Sequence, residues 1–441
     1  MDVRYVRDLI ILFVGDVVVF TGSLWLALVA RHFVAPDSGQ FLAHLVPFTA
    51  LFAVWLVVFV IVGLYDRSVA LFENKLPSAI LEAQAVNLVL AVLFFFLAPV
   101  AIQPKTTLAL YFIISTALIV IWRLGVFRLR TVGRASNTLL VGYGPDCDAL
   151  REALHTSPHT RLTLVAVVDP RGQSALESLI DTRIRETHAR VLVIDPRVNA
   201  LLPVGAFPGV YRVDAADLFE SLFARTPLSL VDREAYRAYG LSTHVLFAGV
   251  KRVVDVCIAA LAGVLSLVVY PFVWAAVYFE DGGPLFVSQE RVGKGGVHFR
   301  MYKFRSMTGN DDGKYGLEGK TKLRVTRVGA FLRKSRIDEL PQLWSVLRGD
   351  QSLVGPRPEL PALVERYREA IPLYDLRHLV TPGLSGWAQL YHQAHPHHGA
   401  DVTETERKLS YDLYYIRHRS VFLELDIILK TVKALALRLG A

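Results

Sequence analysis

Cysteine is scarce in this chain of 441 residues. Only Cys147 and Cys257 occur, and Cys257 lies inside an apolar run, so neither a disulfide framework nor a cysteine-based zinc site is expected. The first apolar stretch lacks a clear small-residue cleavage site and carries Asp8 and Asp16, so it is expected to be a span rather than a cleaved signal peptide. Of these acids, Asp16 reads as a helix-packing residue and Asp8 as an interfacial one. A complete dinucleotide fingerprint is missing too. The turn GYGPDC opens with Gly142 and Gly144, but Cys147 stands where a third glycine belongs and Pro145 intrudes, so a structural or regulatory role is preferred there over nucleotide binding.

What is abundant is apolar sequence. A hydrophobic content of 53% is too high for an ordinary soluble protein. Four stretches, roughly Leu9 to Ala30, Phe41 to Leu64, Ala79 to Ile102 and Leu108 to Trp122, approach the ~20 residues that cross hydrocarbon. Arg4, Arg7, Arg67, Lys75, Arg123, Arg128, Arg130 and Arg134 fall on one side of this bundle, against Arg31 and Lys105 on the other, which predicts that both of its ends are cytoplasmic. The short runs Thr138 to Val141, Leu162 to Val168 and Arg190 to Ile194, alternating with helical stretches such as Asp146 to His155, have the rhythm of βαβ units.

A fifth apolar run, Val256 to Phe279, follows Lys251, Arg252 and Asp255 and contains Pro271. Were it to cross straight through, the basic segment after it would be delivered outside, against the charge rule. A helix broken near Tyr270 and Pro271, entering and leaving by one face, removes the conflict. That basic segment, Arg291 to Arg357, holds 15 Lys+Arg against 6 Asp+Glu, an excess larger than the whole net charge of +8. Such a patch suits anionic headgroups, nucleic acid or a phosphorylated small substrate.

Within it, Leu340, Leu343, Trp344 and Leu347 follow helical spacing, so a helix is predicted to start near Asp338, with Pro341 in its first turn. Asp338 and Glu339 then lie at a helix N-terminus among Arg333, Lys334, Arg336, Arg348 and Arg357, with Lys303 and Arg305 nearby in sequence. A simple N-cap with surface charges is the blander reading. The functional one is phosphoryl chemistry: arginine forks spread phosphate charge, one carboxylate can hold magnesium, and the other can attack phosphorus. The polar stretch Thr308 to Thr321 reads as a loop. The segment YHQAHPHHG carries His392, His395, His397 and His398 at irregular spacing with no carboxylate or cysteine, and also reads as a solvated loop rather than a metal site.

Residues from about 250 to 435 resemble the bacterial sugar transferase family, the polyprenol-phosphate phosphoglycosyl transferases with a single membrane-associated catalytic domain. The matching stretches are KRVVD (251 to 255), QERVG (289 to 293), YKFRSM (302 to 307), VTRVGAFLRKSRIDELPQLWSVLRGDQSLVGPRPE (325 to 359), TPGLSGWAQL (381 to 390) and KLSYDLYYIRHRS (408 to 420). The four spans and Rossmann-like segment match the large members that begin exopolysaccharide or O-antigen assembly.

The resemblance implies a four-helix transmembrane bundle at 1–134, a Rossmann-like cytoplasmic domain at 135–245 and a mixed α/β catalytic domain at 246–441, with a re-entrant helix at about 253–279. It implies Asp338 as nucleophile, Glu339 as the Mg2+ ligand, and Lys303, Arg333, Arg357, Pro356 and Pro358 as binding residues for a UDP-hexose. Lys251 and Arg252 are candidate partners of the undecaprenyl phosphate headgroup. The expected setting is the bacterial cytoplasmic membrane, with the catalytic domain on its cytoplasmic face, a homodimer as the assembly and no nucleic acid as partner. Two other readings are a nucleotide-dependent oxidoreductase or epimerase built on the GYG turn, and a non-enzymatic scaffold or sensor for polysaccharide synthesis.

Overall fold

The structure, a computed structural model, describes residues 3–62, 64–65, 76–97, 105–131, 136–156, 162–173, 175–203, 205–234, 236–237, 245–309, 323–391 and 401–439. Its contacts divide the chain into two units, Met1–Ala215 and Ala216–Ala441. This division lies N-terminal to the 245/246 boundary expected from sequence.

The first unit opens with helices α1 (Val3–His32), α2 (Ser38–Ile61), α3 (Leu76–Leu97) and α4 (Lys105–Thr131). All four are long and apolar enough to cross a membrane. Their shared core is aromatic, with Phe20, Phe48, Phe52, Trp55 and Tyr111 packed together, while Val14, Val18, Val57 and Ile113 point outward. Asp16 is fully buried. Its carboxylate accepts from Arg123 Nε at 3.1 Å and from the Tyr65 hydroxyl at 2.7 Å, so it ties α1 to α4, as a packing role requires. The side chain of Asp8 lies outside the described residues.

After the bundle, β1 (Ser136–Val141), β2 (Leu162–Val168), β3 (Val191–Ile194) and β4 (Tyr211–Asp214) form a parallel sheet in the order β2-β1-β3-β4. β4 has no counterpart among the runs recognised in the sequence. Helix α5 (Pro145–Thr156) follows the Gly142 turn and buries its Cys147, and α6 (Leu176–Thr187), α7 (Pro196–Asn199) and α8 (Ala215–Phe223) follow β2, β3 and β4. A Cβ on Gly142 would sit 2.7 Å from the Cys147 sulfur, which explains the glycine without any ligand.

The second unit carries the helix pair α9 (Val245–Ser266) and α10 (Tyr270–Asp281), bent by 55° at their break. Pro271 lies in the first turn of α10 and has no N–H to continue the ladder, and the Tyr270 N–H bonds instead to Leu267 O at 3.3 Å. Beyond it, β5 (Phe286–Val292) and β6 (His298–Phe304) pair antiparallel, with Lys303 opposite Val287. Next come the antiparallel pair β7 (Met307–Thr308) and β8 (Arg324–Val325), then α11 (Arg327–Ser335), a 3-10 turn (Ile337–Gln342), α12 (Leu343–Arg348) and β9 (Ser352–Val354). β9 pairs parallel with β10 (Gly383–Ser385). Helices α13 (Pro361–Ala370), α14 (Trp387–Tyr391), α15 (Val402–Arg417) and α16 (Val421–Leu439) complete the unit.

Residues before 245 are built into this second core. Trp387 Nε1 donates to Ala224 O at 2.8 Å, the Thr226 N–H donates to Ser410 O at 2.9 Å, and Glu220 accepts from Arg417 at 3.0 Å.

Candidate active site

Helix α11 is anchored at its start twice. Glu280 accepts from the N–H groups of Arg327 (2.6 Å) and Val328 (3.0 Å), and the Thr326 hydroxyl accepts from Gly329 N–H at 2.9 Å. The helix ends at Arg336, whose φ of +59° is left-handed backbone rarely adopted by an arginine. This reversal starts the 3-10 turn at once and places Asp338 and Glu339 in its first residues. Its tighter winding also turns the later residues. Trp344 is 57% exposed, and Leu343, Ser345 and Val346 take the inward positions, which corrects the face predicted from a uniform helical repeat.

The two acids meet different surroundings. Glu339 Oε1 accepts from Arg336 at 2.9 Å and from Arg357 at 3.1 Å, and Lys303 Nζ stands 3.9 Å away. Burial alone would favour a neutral Glu339, but the charges of Arg357, Lys303 and Arg336 outweigh it and hold its pKa at about 2. Asp338 is 7% exposed, and its Oδ1 has no hydrogen-bond partner among the described residues. Burial, reinforced by the Glu339 charge, pushes its pKa up to about 6, with Lys303, Arg336 and Arg333 acting against the rise. Lys303 is brought down to about 8, chiefly by burial and then by Arg357.

The structure therefore brings Asp338, Glu339, Lys303 and Arg357 together. Arg333 lies in the last turn of α11, where it influences Asp338 electrostatically and touches the Met307 sulfur at 3.5 Å. Pro356 and Pro358 are buried on either side of Arg357. Lys251 and Arg252 have partners of their own. Lys251 pairs with Glu424, while Arg252 donates to the carbonyls of Val346 (2.6 Å) and Leu347 (2.8 Å) at the end of α12. Of the stretch expected to be a loop, Thr308 to Thr321, Thr308 pairs with Arg324 in a short strand, and the rest beyond Gly309 lies outside the described residues, as do the histidines at 392–398. Arg336, which the sequence offers only as one of five cations around the acidic pair, is the one that joins Arg357 in donating to Glu339.

Chemically, the arrangement offers one carboxylate held ionised by the cations it gathers and one buried carboxylate whose Oδ1 has no partner among the described residues. A substrate phosphate could draw on the cations, and the free oxygen is poised as a nucleophile or a ligand.

Two family models match the chain: "Bacterial sugar transferase" over residues 246–438 and "CoA-binding domain" over residues 60–181. The second match takes in the turn after β1. Tyr143 is covered there by the guanidiniums of Arg197 (4.3 Å) and Arg171 (5.2 Å), each bound to its own aspartate, and the first turn of α5 carries Asp146 and Asp148.

Among similar proteins, the UDP-N-acetylgalactosamine-undecaprenyl-phosphate N-acetylgalactosaminephosphotransferase of Aeromonas hydrophila is 41% identical over 199 residues, which cover 44% of this chain and 46% of that one. The undecaprenyl-phosphate glucose phosphotransferase of Komagataeibacter xylinus is 31% identical over 332 residues, 68% of this chain and 59% of the relative. The UDP-glucose:undecaprenyl-phosphate glucose-1-phosphate transferase of Caulobacter vibrioides is 41% identical over 187 residues, 42% of this chain and 69% of the relative. The match thus spans about half the length of the Aeromonas and Komagataeibacter proteins. With the sugar transferase model covering the whole segment that builds the Asp338 site, and with the Caulobacter relative matched over more than two thirds of its length, the chain belongs to the bacterial sugar transferase family.

Proposed function

We propose that the protein transfers hexose 1-phosphate from a UDP-hexose to undecaprenyl phosphate in two displacements. In the first, an Asp338 oxygen attacks the β-phosphorus of the donor. The bond from that phosphorus to the bridging oxygen breaks, UMP leaves with the electron pair, and a sugar phosphoryl group remains on Asp338. In the second, an oxygen of the lipid phosphate attacks the same phosphorus, and the aspartate leaves, giving undecaprenyl diphosphate sugar. Splitting one displacement into two lets donor and lipid react in turn with one carboxylate.

The observation that carries this reading is the buried, unengaged Asp338 Oδ1 beside a carboxylate that gathers three cations. Arg357 and Lys303 supply the positive charge that a donor diphosphate needs, and Arg333 adds to it from α11. Among the described residues no group of three or more His, Cys, Asp or Glu forms a cage. The donor set fits Mg2+ that retains water and substrate phosphate as ligands, with Glu339 as its protein ligand. When bound, the ion would offset diphosphate charge.

The bend between α9 and α10 supports a re-entrant pair that keeps the site on the cytoplasmic face of the bacterial inner membrane, where UDP-sugars are available. A homodimer is the assembly we propose. The Aeromonas and Caulobacter relatives differ in the sugar their names carry, so the donor is best found by a panel of UDP-glucose, UDP-galactose and UDP-N-acetylgalactosamine. With purified protein, undecaprenyl phosphate and Mg2+, one of them is expected to yield UMP and lipid-linked sugar. Asp338→Ala is expected to abolish both products. Near-normal turnover by that variant would overturn the proposal, and no UMP from any donor would favour a scaffold or sensor.

A further inference from the structure

Arg357 reaches Glu339 from a turn whose backbone is fixed at four successive points. The Gly383 N–H donates to Pro356 O at 2.9 Å, Arg377 Nη2 to Arg357 O at 2.9 Å, Arg291 Nη1 to Pro358 O at 3.3 Å, and the Val292 N–H to Glu359 O at 3.0 Å. Two of these anchors are ordinary backbone bonds. The other two are guanidiniums, and Arg377 is 3% exposed.

Arg377 also bonds Asp412 at 2.8 Å, itself 2% exposed, and the Tyr374 hydroxyl at 2.8 Å. A buried ion pair of this kind loses much of its attraction to desolvation and is often no better for stability than apolar residues of similar volume. An apolar pair, however, cannot donate to the carbonyl of Arg357. Lysine is a poor substitute as well, because one ammonium cannot present the planar fork that meets Asp412, Tyr374 and the Arg357 carbonyl together.

We infer that Arg377, oriented by Asp412, is a positioning residue that fixes the backbone of Arg357 so that its guanidinium meets Glu339 and the donor diphosphate. This rests on the transfer site proposed above. Arg377 touches neither the acidic pair nor, on this reading, the substrate; it acts through Arg357.

The test is a double-mutant cycle on the full-length protein between Arg377→Lys and Arg357→Ala, read as UDP affinity by calorimetry, with the KM for undecaprenyl phosphate as a second readout in the Arg357 background. Arg377→Lys is expected to weaken UDP about tenfold or more when Arg357 is present and by less than about twofold when it is absent, with the lipid KM unchanged within about twofold. Equal losses in the two backgrounds, or unchanged UDP affinity in Arg377→Lys, would overturn the inference. If Arg377→Lys does not fold, the paired change Arg377→Leu with Asp412→Leu takes its place, since it leaves no buried charge unpaired, and the same non-additivity is expected. Wild-type protein that releases no UMP from any donor would sink the transfer reading instead, so the two failures are distinguishable.

Discussion

Glu339 keeps its charge because Arg336, Arg357 and Lys303 converge on one of its oxygens, and burial, followed by the negative charge so preserved, raises the proton affinity of Asp338 next to it. Neighbouring carboxylates thereby take up different tasks. The folded pKa of Asp338, about 6, lies above its ordinary 3.8, so the neutral acid persists until the pH passes about 6. Lys303, at about 8, lies below its ordinary 10.5 and loses its charge as the pH passes about 8. The kcat/KM for the donor is therefore expected to rise through the first value and fall through the second. Initial rates across the pH range check this, and Lys303→Arg, which stays charged, should remove the alkaline fall. A profile flat from about pH 5 to about pH 9 would contradict the assignment of both groups.

At the scale of elements, the site depends on α11 being pressed against the backbone at Ser306, just beyond β6. A Cβ on Gly329 would stand 2.0 Å from Ser306 O, so the helix can approach this closely only with glycine there. Gly329→Ala is expected to cost about 1–3 kcal/mol and to lower turnover by shifting the acidic pair, measured by thermal unfolding together with UMP release. Wild-type values for both would show that the close approach is dispensable.

Much at this scale was legible. Four apolar runs became four helices, the run around Pro271 broke where its missing N–H requires, and the acidic pair amid arginines lies where Lys303, Arg336 and Arg357 converge. What escaped was non-local. The inward face of α12 shifted because a 3-10 turn precedes it, and the anchoring of Arg357 by Arg377 joins residues that no periodicity connects. β4 is only four residues long and is identified by its pairing with β3 rather than by its composition.

For the whole molecule, the segment from Ala216 onward is one compact unit that takes in residues lying before the matched transferase domain. Glu220, Ala224 and Thr226 bond to Arg417, Trp387 and Ser410, so a fragment beginning at 246 would lose these partners and leave the Ala224 and Thr226 contacts of the core unmade. A fragment of 216–441 is expected to unfold at a higher temperature than one of 246–441 and to retain more UMP release in detergent. Equal stability would mean that the added residues contribute nothing to the transferase core.

In the proposed reaction Asp338 carries the sugar phosphate between donor and lipid. Incubating the full-length protein with its UDP-hexose and no undecaprenyl phosphate, quenching, and mapping peptides by mass spectrometry tests it most directly. A sugar-phosphoryl adduct on Asp338 is expected, and it should disappear when the lipid is added. Lipid-linked product formed with no adduct on Asp338 at any time would contradict it.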